Sequence, residues 1–247
     1  MSVAKFDKTL SEDAMSKNAA SLMGKTNRYF RWNLELFSIE RGKCILDLGC
    51  GPGLYLQALT AYRPARYVAT DYSPQYVETI KSLITDLPDS VALQIDLLNQ
   101  QQLEALYAFA FDFILCLDVL EHIEQDEQVL KNIKTLLQNT GEGCLCIKVP
   151  ALPFLYGEND RAIGHYRRYS MQSLKTKLLQ TGYQIEKIGY QNFVGILPWF
   201  VVGKILKRSQ SVSGNEGRAF DILVPVIKSI EKVFPPPIGL SLYCKCR

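Results

Sequence analysis

Histidine is nearly absent from these 247 residues, with His122 and His165 as the whole supply. A reaction that needs a side chain gaining and losing a proton near neutral pH therefore has few positions to draw on. Net charge is also sparse, at +3. No concentrated basic face is evident, so the expectation is a chain with no nucleic-acid partner. No apolar run reaches the roughly 20 residues that cross a bilayer, and the candidate at 193–206 is interrupted by Pro198. The opening MSVAKFDKTLSEDAMSK lacks the apolar stretch of a secretory signal, which makes a cytoplasmic location the default expectation. A disulfide framework is missing too. Cys44, Cys50, Cys116, Cys144, Cys146, Cys244 and Cys246 lie mostly inside apolar runs, as reduced, buried thiols do. Cys144/Cys146 and Cys244/Cys246 have strand spacing, which leaves a four-thiolate site imaginable, but core packing is the better reading and no metal is assigned.

What is present is concentrated in ILDLGCGPG, residues 45–53. An apolar run leads into closely spaced glycines, which let the backbone turn sharply and approach a ligand where a Cβ would collide. A dinucleotide fingerprint requires G-x-G-x-x-G, and here its last position falls on Leu54 or Leu56. The pattern present is D-x-G-x-G-x-G, with Asp47 ahead of Gly49, Gly51 and Gly53. That carboxylate would repel a pyrophosphate and suit a ligand carrying an ammonium and a sulfonium. S-adenosylmethionine carries both. YVATD then ends a second apolar run in Asp71, at the separation expected of an acid that binds ribose hydroxyls, with Tyr72 able to lie against adenine. LQIDLLN ends a third run in Asp96 and Leu97, and FDFILCLDVLEHI ends a fourth in Asp118, Glu121 and His122.

Apolar runs and helical patterns alternate, the signature of βαβ units around a parallel sheet. Strands are expected at 44–48, 67–70, 92–95, 111–117, 144–149, 183–190 and 241–246. Helices are expected at 55–61, 74–85, 125–138 and 171–180, the last with Ser170 as N-cap and Gly182 as stop. The whole is read as one domain: an N-terminal helical cover at 1–37, a cofactor-binding core at 38–190, a helical insert at 191–239 and a last strand at 240–247. The apolar run at 193–206 has three readings, as a pocket lid, as an interfacial helix making peripheral membrane contact through 193–208, or as packing against the sheet.

Together these segments resemble the class I S-adenosylmethionine-dependent methyltransferases. The resemblance implies a Rossmann-like α/β sheet, mostly parallel with an antiparallel last strand. It implies that Asp47, Gly49, Cys50, Gly51 and Gly53 meet the methionine part of the cofactor. Asp71 and Tyr72 would hold the ribose and adenine side, Asp96 and Leu97 the adenine pocket, and Asp118 would add to the site. The plain alternative for Asp47 and Asp96 is that they cap helices or close turns.

Methyl transfer to a hydroxyl requires a proton acceptor, which suits a histidine. His165 lies in GENDRAIGHYRRYS, a polar loop after the fifth strand, and His122 in DVLEHI. Both are candidate catalytic residues, with loop-orienting hydrogen bonds as the alternative. Tyr166, Arg167 and Arg161 are candidate acceptor-binding residues, since guanidinium forks pair with carboxylate or phosphate. Ion pairs of these arginines with Glu158 and Asp160 are the alternative. LDVLEHI with the later GHYRRYS is also similar to the quinone-biosynthetic O-methyltransferases, some of which bind a divalent metal through acidic residues of the former segment. VPALPFLYGENDRAIGHYRRYS is similar to uncharacterised bacterial methyltransferases of surface-glycan or lipid-linked pathways. The expected function is S-adenosylmethionine-dependent O-methylation of a small or lipid-linked acceptor. A methyltransferase-fold binding protein without catalysis is the alternative, and an NAD oxidoreductase is disfavoured by the absent glycine.

Overall fold

The structure, a computed structural model, describes residues 27–141, 143–201 and 214–247. Helix α1 (Asn27–Glu35) leads into β1 (Cys44–Leu48), and the chain then alternates: α2 (Leu56–Thr60), β2 (Arg66–Asp71), α3 (Pro74–Leu83), β3 (Ser90–Gln94), α4 (Gln100–Leu103), β4 (Phe113–Leu117), α5 (Asp126–Thr140) and β5 (Cys144–Pro150). After it come α6 (Glu158–Ala162), α7 (Met171–Gln180), β6 (Ile185–Gln191), α8 (Ile196–Phe200), α9 (Gly214–Val233) and β7 (Ser241–Cys246). The seven strands form one sheet in the order β3-β2-β1-β4-β5-β7-β6. The first five pair in parallel, and β7 runs antiparallel to both β5 and β6.

Alternation along β1 builds two apolar layers. Leu46 and Leu48 point into the layer containing Ile114, Leu130 and Leu145, whereas Ile45 points into the one containing Phe37, Leu59 and Leu115. Cys144 and Cys146 belong to the second layer, Cys244 and Cys246 to the first. The two thiol pairs thus lie on opposite faces of the sheet, and four sulfurs cannot converge on one ion. All seven cysteines are free.

Local signals fixed the helix ends. Ser170 accepts a 3.0 Å bond from the Ser173 N–H at the start of α7, and Gly182 follows its end at φ 82°. Helices α4 and α6 form where only loop was expected. Each is a turn or so long, too short for a periodic pattern to register. Among the described residues, no helix is long and apolar enough to cross a membrane. Residues 1–26 of the expected N-terminal cover, and 202–208 of the proposed membrane contact, lie outside the described residues. In the described part of the apolar run, Leu197 is 69% exposed, while Ile196 and Trp199 pack against the core and Trp199 also lines a cavity.

Candidate functional site

β1 lies between β2 and β4, whose connections leave on opposite sides, so a crevice opens at their carboxyl ends. Two cavities occupy it. The outer one, about 480 Å³, is lined by Asp71, Tyr72, Asp96, Leu97 and Tyr166 among others. The inner one, about 330 Å³, is lined by Asp47, Cys50, Lys148, His165, Arg168 and Trp199 together with the rings of Tyr29, Phe30 and Tyr55. Gly49, Gly51, Asp118, Glu121's neighbour His122 and no other described residues line both.

The glycine loop is built from backbone demands. Gly51 takes φ 53°, and a Cβ there would meet nothing within 4 Å, so the open side of the loop faces the cavities it lines. Gly53 is different. It lines neither cavity, and its Cβ would stand 2.7 Å from Ile80 Cδ1 at φ 89°. Its expected contact with the cofactor is corrected to a packing role against α3. Asp71 accepts 2.8 Å bonds from the N–H groups of Gly51 and Ser73, so it shapes the loop as well as lining the outer cavity. Asp96 closes a turn by accepting from Leu98 N–H at 2.9 Å while lining the same cavity. The turn-closing alternative is thus what the hydrogen bond shows for that residue.

Asp47 accepts a 2.9 Å bond from the Tyr67 hydroxyl, and burial pushes its carboxyl up to about 7. Asp118, at φ 58°, pairs through both oxygens with Lys148 Nζ at 2.7 Å and accepts from the Tyr55 hydroxyl at 3.2 Å. Burial works against the charge on Lys148, yet the Asp118 carboxylate holds its ammonium well above the usual lysine range. Sequence reasoning missed Lys148. The signal was a lysine inside CLCIKVP, a strand buried at every position.

The histidines meet on the far side of the inner cavity, ring centroids 4.6 Å apart. His165 Nδ1 lies 3.0 Å from Asp160 Oδ1, and its Nε2 faces Glu121 Oε1 at 3.8 Å. Asp160, fully buried, also accepts from Arg168 Nε at 2.8 Å, and these contacts hold its carboxyl below the ordinary range although burial opposes them. Glu121 is 1% exposed, and among the described residues neither of its side-chain oxygens has a hydrogen-bond partner. Burial, then Asp118, raises its carboxyl far above the usual range. Burial and the neighbouring His165 push His122 down to about 3, so it is neutral at physiological pH. Ligand atoms of Glu121, His122 and His165 lie within 4.8 Å of one another, a set that could hold a divalent cation. Asp118, the other acidic residue of the LDVLEHI segment, is engaged by Lys148 instead.

The arginines depart from expectation. Arg161 pairs with Glu158 at 2.6 Å and Arg167 with Asp126 at 3.0 Å, and neither lines a cavity. Their acceptor-binding role is corrected to that of ion pairs, and Arg168, which belongs to the same candidate run of arginines, is the guanidinium that reaches the inner cavity. Tyr166 lines the outer cavity, on the cofactor side.

A 3-2-1-4-5-7-6 sheet with an antiparallel seventh strand and a glycine loop after β1 defines the class I methyltransferase fold. Residues 46–142 match a family model described as a methyltransferase domain. Residues 46–142 are thus a methyltransferase domain carried on a class I fold, and S-adenosylmethionine is the cofactor that this assignment gives. Among relatives, the chain is 30% identical over 124 residues to a tRNA U34 carboxymethyltransferase of Campylobacter jejuni, covering 49% of this chain and 38% of that protein. It is 31% identical over 104 residues to a ubiquinone biosynthesis O-methyltransferase of Coxiella burnetii, covering 41% and 42%. The match thus spans less than half the length of these relatives. The fold is similar to that of a Haloferax volcanii methyltransferase solved in complex with its Trm112 activator, at 16% identity, TM-score 0.63 and 96% coverage of each chain. The expectation of no nucleic-acid partner is corrected by these names. Proteins similar to this one are named for tRNA, so a net charge of +3 does not exclude nucleic acid.

Proposed function

We propose that the protein transfers a methyl group from S-adenosylmethionine to a hydroxyl oxygen of a small acceptor seated in the inner cavity, with His165 as base. The observation that carries this is the Asp160–His165 pair in the lining of the inner cavity, where Asp160 engages Nδ1 and Nε2 faces Glu121 Oε1 at 3.8 Å, beyond hydrogen-bonding distance. Asp160 fixes the tautomer with the proton on Nδ1, so Nε2 has a lone pair for the acceptor's hydroxyl proton. The bound cofactor supplies an electrophilic methyl on sulfur. With the methyl so supplied, His165 Nε2 would take the acceptor's hydroxyl proton, and Asp160 would steady the resulting imidazolium. Aromatic walls from Tyr29, Phe30, Tyr55 and Trp199 favour a planar acceptor and exclude water.

The fit of the cofactor rests on chain features: the open cradle at Gly51, the carboxylates of Asp47 and Asp71, and Tyr72, 55% exposed beside the outer cavity. The Coxiella burnetii relative supports an oxygen nucleophile. The Campylobacter jejuni relative favours a second reading, in which the acceptor is a nucleoside of tRNA. Transfer of labelled methyl to a panel of small hydroxylated aromatics and, separately, to tRNA tests both. Small-acceptor methylation that drops about a hundredfold or more in His165→Ala, with cofactor affinity unchanged, is the expected result. Label on tRNA alone would establish the second reading. Cofactor binding with no methylated product from any acceptor or cell extract would make this a binding protein.

A further inference from the structure

The inner cavity contains a charge pair that the base chemistry does not use. The Lys148 side chain is 3% exposed, and both oxygens of Asp118 stand 2.7 Å from its ammonium. The backbone joins the same residues again, with Asp118 N–H donating to the Lys148 carbonyl at 2.8 Å. Asp118 keeps a left-handed φ of 58°, a conformation a non-glycine residue holds only where its surroundings impose it. The Tyr29 ring lies over the ammonium, 5.7 Å away. Taking the Lys148 ammonium out of water carries a large penalty, and Asp118, its side chain 39% exposed, offsets that penalty only in part. A pair retained under those terms in a ligand cavity points to a ligand.

The cofactor's amino-acid end is itself a pair of opposite charges. Asp71, Tyr72 and Asp96 line only the outer cavity, Asp47 and Lys148 only the inner, and Gly49, Gly51 and Asp118 line both. A molecule with its adenosine in the outer cavity and passing the shared glycines brings its amino-acid end among Asp47 on β1, Asp118 after β4 and Lys148 on β5. These strands are neighbours in the sheet. We propose that Asp118 and Lys148 form a receptor for the zwitterionic end of S-adenosylmethionine, with Lys148 holding the α-carboxylate and Asp118, together with Asp47, the α-ammonium. The inference rests on the cofactor assignment. Two carboxylates and one ammonium on the protein oppose two cations and one carboxylate on the ligand, so the complex is neutral in a site sheltered from water.

The test removes one charge from each side. Calorimetry compares S-adenosylhomocysteine with S-adenosyl-3-thiopropylamine, which keeps the amine and lacks the carboxylate. Wild-type protein is expected to prefer the former by about tenfold or more, and Lys148→Met to bind the two within about twofold. Because Lys148→Met takes the counter-charge from Asp118 and leaves it only the Tyr55 hydroxyl at 3.2 Å among the side-chain donors of the described residues, the double variant Lys148→Met/Asp118→Asn serves beside it and should lose the preference equally. Lys148→Arg should keep it. A wild-type protein indifferent to the carboxylate, or a Lys148→Met protein that retains the full preference, overturns the proposal and would hand Lys148 to the acceptor. Failure of wild-type protein to bind either ligand overturns the cofactor assignment itself and the proposal with it.

Discussion

Asp71 receives two backbone N–H groups from different elements, one in the glycine loop and one at the start of α3. Each charge-assisted bond of this kind contributes about 1.5 to 3 kcal/mol. Asp71→Ala is therefore expected to lower the melting temperature and also to weaken S-adenosylhomocysteine binding at least about tenfold, by thermal denaturation and calorimetry. Unchanged stability with weakened binding would mean that the loop keeps its shape without the carboxylate. Asp47 carries a pH dependence. Its carboxyl titrates at about 7 because burial disfavours the anion, whereas a bound α-ammonium requires the anion. Cofactor affinity should fall as pH drops through about 7, and Asp47→Asn should be weak and flat across the same window. For the free protein the sign reverses. A carboxyl whose folded pKa is raised contributes stability below its unfolded value, near 3.8, and loses it as pH rises through about 7. Apo-protein melting followed from pH 5 to 8 should show that loss, and Asp47→Asn should reduce it.

At the scale of elements, two glycines two positions apart on one loop differ in what surrounds them. Gly53→Ala forces a Cβ to within 2.7 Å of the Ile80 side chain at positive φ, so it should destabilise the fold, by about 1 to 3 kcal/mol. Gly51→Ala meets open space. It should cost only about 1 kcal/mol of backbone strain and lose cofactor affinity, since the methyl enters the cavity. Denaturant melts paired with calorimetry separate the two outcomes, and equal losses of stability would refute the distinction. The glycine spacing was legible in sequence, but which glycine faced ligand and which faced a helix was not, because that depends on where Ile80 arrives from α3. The parallel strands and α7 were legible for the converse reason: apolar runs, Ser170 and Gly182 act locally. Arg161, Arg167 and Arg168 mark the limit. Consecutive or nearby in sequence, they point to Glu158, Asp126 and Asp160 respectively, and only their three-dimensional partners tell a ligand-facing guanidinium from a solvated ion pair.

The inner cavity is walled by parts far apart in the chain, and α9 ties them together. Val224 and Ile227 pack on Trp32 of α1, and Asp221 accepts from the Tyr29 N–H at 2.9 Å. At the other end of α9, Glu231 accepts from the N–H groups of Asn192 and Phe193 at 3.1 and 2.8 Å, the approach to α8 and therefore to Trp199. Such contacts span as many as 192 positions, beyond any local pattern, which is why the insert read as a separate appendage rather than a brace for the site. If the brace matters to function, its removal should act on the acceptor and not on the cofactor, whose carboxylates Asp47 and Asp71 sit at the ends of β1 and β2 and owe nothing to α9. Glu231→Ala frees two N–H groups and loosens the α8 approach, with a net cost of about 1.5 to 3 kcal/mol for each bond lost. The expected result is a KM for the acceptor raised about tenfold or more, with the affinity for S-adenosylhomocysteine within about twofold of wild type. Equal weakening of both ligands would show that α9 supports the sheet as a whole, and the wall it forms with Trp199 would then be no more than part of the core.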